Sequence, residues 1–331
     1  MVSHTQTPQT SHSRSRKILS WVVLLLLIIA LWFGWTQRYR IYDTIRLRNY
    51  TPSAAIAQLA DDTTMRSDTR RMFYATHPQL RTKGDFTQCQ MGEKTIILGC
   101  YTAQRAIYLY DVPDERLAGV EQVTAAHETL HAAYERLSAN ERRRVNALLD
   151  QAFAGVVSER IKANIGAYRQ AGADVSNELH SILGTEVRDL PADLETYYAR
   201  YFAERAAIVA YMEQYEQEFT GRQQQVLEYD KKLDNLKDRI NTLDVSLAAR
   251  SKQINSDFER LQLLKNDQNI TAYNLGVPEY NAAVAAYNAD VRSEQSLVSQ
   301  YNAVVEQRNA LVVEEGQLLN ALDSRQTLQA E

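Results

Sequence analysis

The chain has 331 residues and a formal net charge of −4, room for one domain of ordinary size and a large second element. The mildly negative balance offers no basic surface and argues against nucleic acid as a partner. Tyrosine is frequent, at 19, glycine thins out beyond the middle, and Gln, Asn and Ala become common toward the C-terminus. That profile favours long helices over a second α/β domain.

Residues 1–17 are polar, end in Arg14, Arg16 and Lys17, and are expected to form a disordered tail. ILSWVVLLLLIIALWFGW follows at 18–35, uncharged, with Trp21, Trp32 and Trp35 near its ends, where a membrane interface would lie. The apolar core is long for a signal peptide and no small-x-small cleavage site follows it, so the segment reads as a transmembrane helix anchoring a single-pass membrane protein. Its flanking charges do not set the orientation: Arg38, Arg40, Arg46 and Arg48 after the span nearly balance the three basic residues before it, and the count leans against an extracytoplasmic body.

Two short helices are expected in TPSAAIAQLADDTTMRSDTRRMFYATHPQL. Thr51 would cap the first with Pro52 in its opening turn, and Pro78 would stop the second. Met72, Phe73 and Tyr74 pack on the body in this reading, and His77 is a surface or capping residue. The only two cysteines, Cys89 and Cys100, fall where MGEK reads as a turn, TIILGCY as a strand and RAIYLYDV as an alternating, aromatic-rich strand. Cysteines on neighbouring strands, or a strand and its loop, can bridge, and a disulfide places the body outside the cytosol.

VTAAHETLHAAYERL then carries His-Glu-Thr-Leu-His at 127–131. On a helix, His127 and His131 are four residues apart on one face and can reach one ion, with Glu128 beside them to accept a proton from water. From Glu121 to Ala154 there is no glycine or proline to interrupt a helix. Ser138 with Glu141 forms a capping box opening ANERRRVNALLDQAFAGVV. A third helix ends near Gly172, Asp174 or Ser176 caps SNELHSILGTEVRD, and Pro191 opens DLETYYARYFAERAAIVAYM. A catalytic zinc needs three protein ligands and an open position. The third ligand can come from Glu178, His180, Glu186 or Asp189.

HETLHAAYE, preceded by a strand pair and followed by an acidic helix, resembles the gluzincin class of zinc metallopeptidases, in particular its small minimal members. The resemblance covers about residues 70–205. It implies His127 and His131 as zinc ligands and Glu128 as general base. It also implies a glutamate ligand from a later helix, often written Asn-Glu with a small residue three positions on, a form that Asn177-Glu178 with Ser181 matches. The gap of about 45–55 residues after His131 departs from the pattern and keeps Glu186, an acid in an apolar stretch beside Gly184 and Thr185, as the alternative. The strand RAIYLYDV resembles the edge strand along which such enzymes align substrate. His180, Tyr197, Tyr198 and Tyr201 are candidate donors to a developing oxyanion, with His180 taken as the catalytic one. Arg200 and Arg205 are candidates for pairing with a carboxylate.

From Val226 a three-four spacing runs through Tyr229, Leu233, Leu236, Ile240, Leu243, Leu247, Arg250, Ile254, Asp257, Leu261 and Leu264. NLGVPEYN is expected to turn the chain near 274–279. A second arm then runs through Tyr280, Val284, Tyr287, Val291, Glu294, Val298, Tyr301, Val305, Arg308 and Val312. The expected fold class is α+β: a mostly helical, minimal zincin-like domain with a short β-sheet at 36–205, then an antiparallel coiled-coil hairpin at 206–326. Zn2+ is the expected cofactor and a protein or peptide the expected substrate, bound by an extracytoplasmic body. The arm would serve self-association or an envelope protein. The second reading is a noncatalytic envelope scaffold. Glu128 favours the enzyme, because a structural metal site has no use for a general base.

Overall fold

A computed structural model of the chain describes residues 12–89 and 97–325. It is mostly helical, with a small three-stranded sheet and a long C-terminal helix pair, α+β at the coarse level. Two compact units divide it. One runs to Gln214 and includes the chain from Asp323; the other is Tyr215–Leu322. The boundary therefore falls inside a helix rather than at 205/206, and the second unit ends before 326.

In the first unit, α1 (His12–Thr36) contains one window, Leu19–Thr36, long and apolar enough to cross a membrane or to serve as a signal sequence. Residues 1–11 of the expected tail lie outside the described residues. His12–Lys17 are helical instead of disordered, since nothing in HSRSRK breaks the helix that follows. Next come α2 (Arg38–Leu47), α3 (Ala54–Asp62) and α4 (Ser67–Ala75). The cap of α3 is Ser53, whose Oγ accepts from Ile56 N–H, not Thr51. After α4 the chain passes through His77 at φ 48° before Pro78. Met72 and Phe73 are buried.

The strands are β1 (Gln79–Arg81), β2 (Gly99–Tyr101) and β3 (Ile107–Tyr110). The expected MGEK turn and the first residues of TIILGCY lie outside the described residues. β3 pairs in parallel with β1 and antiparallel with β2. Among the described residues the order is β1-β3-β2, so RAIYLYDV holds the central strand and β2 the edge. This corrects the expected edge: the apolar alternation of IYLY, with Ile107, Leu109 and Tyr110 buried, belongs to a strand flanked on both sides. Cys89 and Cys100 are disulfide-bonded and pack with Phe86 and Tyr110.

The motif helix is α5 (Val120–Glu135). It starts at Gly119, whose φ of 103° and close contact with Tyr211 exclude a side chain. The helix α6 (Ala139–Ala154) carries the expected Ser138/Glu141 capping box. It is followed by α7 (Glu159–Gln170), α8 (Val175–Glu186), capped by Asp174, and α9 (Ala192–Tyr198). The run after Pro191 is not one helix. It opens at 199–204, where Arg66 N–H donates to the Tyr201 carbonyl and Ala203 N–H to the Thr64 carbonyl. These tertiary hydrogen bonds replace helical ones. The next helix, α10 (Arg205–Asn266), buries Ile208, Val209 and Met212 in the first unit before leaving it.

In the second unit α10 runs antiparallel to α11 (Ile270–Leu322): Asp230 meets Arg308, Arg250 meets Asp290, and Leu261 lies against Gly276. The turn is at 267–269, not 274–279. Gln268 takes a left-handed φ of 55° and the Asn269 side chain accepts from Ala272 N–H, so turn and cap chemistry reside in Asp-Gln-Asn. Pro278 is accommodated inside α11. The first arm buries Leu236, Leu247 and Leu261 as its spacing predicts. On the second arm the seam holds Leu297 and Val304, one residue away from Val298 and Val305, and Val298 and Val312 are exposed. Arg250 pairs across the hairpin, while Asp257 bonds to Gln253 and Arg260 of its own helix.

Candidate metal centre

Two helices and one strand build the site. The α5 and α8 helices pack closely because Gly184 has no side chain; a Cβ there would meet Leu130 Cδ1 at 2.5 Å and Tyr198 Cε1 at 2.8 Å. The edge strand β2 lies on α5 through Gly99, where a Cβ would meet Thr124 Cγ2 at 2.5 Å and Glu128 Cγ at 3.1 Å. Both contacts set the distance between elements that carry polar side chains.

His127, Glu128 and His131 place one donor atom each within 4.8 Å of one another, a group able to hold a metal ion. From α8, the Glu178 carboxylate reaches the same place. Its Oε2 is 3.8 Å from His131 Nε2 and 4.0 Å from His127 Nε2. The imidazoles meet edge to face, with ring centroids 4.8 Å apart. The Asn177 side chain lies near the His131 ring, and neither His131 Nδ1 nor Asn177 Oδ1 makes a hydrogen bond among the described residues.

Electrostatics follow from burial. His127 is held well below the ordinary histidine value, first by burial and then by repulsion from His131 and His180. His131 is lowered by burial against the raising effects of Asn177 and Asp174. Both imidazoles are therefore neutral near pH 7, the form that binds metal. Burial and then the Glu178 charge push Glu128 up to about 8, opposed by the Tyr101 backbone N–H that bonds to it. Among these groups a carboxylate that holds a proton near neutrality is suited to acid–base work.

The other candidates are placed elsewhere. Glu186 pairs with Arg160 at 2.9 Å, and Asp189 is exposed. His180 is fully buried and its Nε2 bonds to Tyr197 Oη at 2.8 Å, with the Tyr134, Tyr198 and Tyr201 rings around it. A donor to substrate needs a ring edge that substrate can reach, which His180 lacks. Tyr198 Oη donates to the His180 carbonyl, and Tyr197 and Tyr201 hydroxyls are 3.1 Å apart. Arg200 lies over the Tyr197 and Tyr201 rings and 3.6 Å from Glu141. Arg205 is buried, pairing with Glu195 and donating to the Val187 and Arg188 carbonyls beyond α8.

Sequence reasoning missed the hub at Glu135. Its carboxylate accepts from Tyr101 Oη at 2.5 Å and from Arg105 at 2.6 and 2.9 Å. Tyr101 thus touches α5 at Glu128 through its backbone and at Glu135 through its side chain, two turns apart. The signal was one-dimensional: Glu135 stands seven residues after Glu128, on the same face. Also missed was Asp43, buried and bidentate to Arg136 at 2.8 and 2.9 Å. Comparison with protein-family models, curated proteins and solved structures finds no match to this chain.

Proposed function

We propose that the chain is a membrane-anchored, zinc-dependent metallopeptidase of the gluzincin type, with α1 retained as the anchor and the body outside the cytosol. The approach of Glu178 from a second helix to His127 and His131, which with Glu128 form a group able to hold a metal ion, supports this most. Two neutral imidazoles and a carboxylate are the donor set of a catalytic zinc. A divalent cation also resolves the repulsion between Glu178 and Glu128 that contributes to the raised Glu128 carboxyl. The disulfide fits an oxidising compartment.

His127, His131 and Glu178 would hold the ion, which when bound supplies Lewis acidity toward water and the peptide carbonyl. Glu128 would take a proton from the attacking water and return it to the departing amine nitrogen. An extended substrate would lie along the edge strand β2 beside Glu128, at the Gly99 backbone. Glu135 holds that strand in place through Tyr101. His180 supports α8 from within rather than touching substrate.

The test is peptide cleavage by the zinc-loaded full chain against its Glu128→Gln variant, using a pool of fluorogenic peptides of mixed sequence. The variant should keep zinc and lose cleavage by about 10²–10⁴-fold. Equal rates in the two proteins would refute the general-base role. A wild-type chain that binds zinc and cleaves nothing would favour the noncatalytic scaffold.

A further inference from the structure

The apolar helix is joined to the body by more than a linker. The α2 helix starts at Arg38, directly after the window that ends at Thr36, and hydrogen bonds cross the junction. Gln37 N–H donates to the Phe33 carbonyl and Ile41 N–H to the Gln37 carbonyl, each at 2.9 Å. One face of α2 is docked. Asp43, 4% exposed, takes both guanidinium nitrogens of Arg136, Arg105 lies over the Tyr39 and Tyr42 rings, and Arg46 donates to the Ala75 carbonyl.

The opposite face of α2 is open. Ile41 and Ile45 are 45% and 69% exposed and Arg48 is exposed beside them, while at the flank the Arg40 carbonyl and the Thr44 hydroxyl accept from Arg71 of α4. Asp43 is the one acid in this helix and is bonded to Arg136, so the outward face is apolar and cationic. Such a face suits the headgroup layer of an anionic bilayer.

The clamp bounds a distance. Asp43 lies about 10 Å along the helix from Thr36, and Arg136 about 8 Å along α5 from His131, at 1.5 Å per residue. With one ion pair between them, the imidazoles stay within about 40 Å of the end of the apolar helix at any tilt. A flexible tether would let the site roam, and the chain has a clamped helix there instead.

We infer that the candidate site works at the bilayer surface, on polypeptide segments lying next to the membrane, such as the juxtamembrane stretches of anchored proteins. This rests on the metallopeptidase reading above. The test uses the zinc-loaded full chain in anionic nanodiscs. The mixed fluorogenic peptide pool is attached to lipid through a polar spacer of about 10 Å or a helical spacer of about 80 Å, at equal surface density.

The short-spacer pool should be cleaved at least about tenfold faster than the long-spacer pool. Inserting a Gly/Ser linker of about 20 residues between Gln37 and Arg38 should bring the two rates together, because the body can then leave the surface. Equal rates in the unaltered chain, with cleavage still dependent on Glu128, would overturn this inference and leave the peptidase reading standing. A mature chain that lacks the apolar helix would also overturn it. Failure to cleave any pool would overturn the peptidase reading and this inference with it.

Discussion

Glu178 Oε2 stands 3.8 Å from His131 Nε2, although 47 residues and two intervening helices separate them in the chain. Glu186, on the same helix two turns later, is turned away to Arg160. The two glutamates therefore predict opposite outcomes. Glu178→Gln should weaken zinc binding by about 10–100-fold or more, read by competition with a chromophoric chelator. Glu186→Gln should leave zinc affinity unchanged, since that carboxylate faces Arg160 and not the histidines. The reverse pattern would move the third ligand to Glu186.

Gly184→Ala should destabilise the first unit by about 1–3 kcal/mol, because the new methyl meets Leu130 and a Tyr198 ring that is fully buried. Chemical denaturation measures the loss. As α8 is pushed from α5, zinc affinity should fall together with stability. A variant as stable as the wild type would show that the α5–α8 contact is looser than described.

Asp43→Ala leaves the Arg136 guanidinium in a largely buried place without its carboxylate. The expected cost is about 3 kcal/mol, seen as a lower midpoint in urea. Replacing Asp43 and Arg136 together by Leu and Met should restore part of the loss, because no uncompensated charge then remains. Equal losses for the single and double variants would show that the pair is not the source of the effect.

The Glu141 carboxyl is held below its ordinary value of 4.5 by the Ser138 hydroxyl and backbone N–H. A carboxyl lowered on folding adds stability that is present above pH 4.5 and fades as pH falls through its folded value. Stability measured from pH 6 downward should therefore fall less in Glu141→Gln than in the wild type, at this site. Ser138→Ala should cost about 1 kcal/mol at pH 7. An unchanged acid limb in Glu141→Gln would remove the capping box as a contributor.

The helices of the first unit were legible because capping residues act locally. Ser138 with Glu141, Asp174 and Pro191 each mark a start that the fold keeps. The motif helix was legible because no glycine or proline interrupts it, and the disulfide because its partners are close in sequence. Tertiary choices were not. The Thr64–Arg66 backbone opens the helix at 199–204, and the sheet order makes RAIYLYDV central instead of peripheral. Pro278 and Gly276 read as a turn, yet Gly276 serves a close approach of Leu261 and the turn forms at Asp267-Gln268-Asn269. The second-arm seam was displaced by one residue at Leu297 and Val304 because two adjacent apolar series run along α11, and only packing selects between them. Glu178 and Glu186 have near-equal claims in sequence; it is the helix packing at Gly184 that brings one of them to the histidines.

X-ray absorption at the zinc edge of the zinc-loaded chain tests the central claim most directly. One ion should be bound by two imidazole nitrogens and one carboxylate oxygen at about 2.0 Å, plus one further light-atom ligand from solvent. A fall from two imidazole ligands to one in His131→Ala would assign them to the motif helix. A closed shell of four protein ligands, or a zinc ion bound without imidazole, would contradict the account.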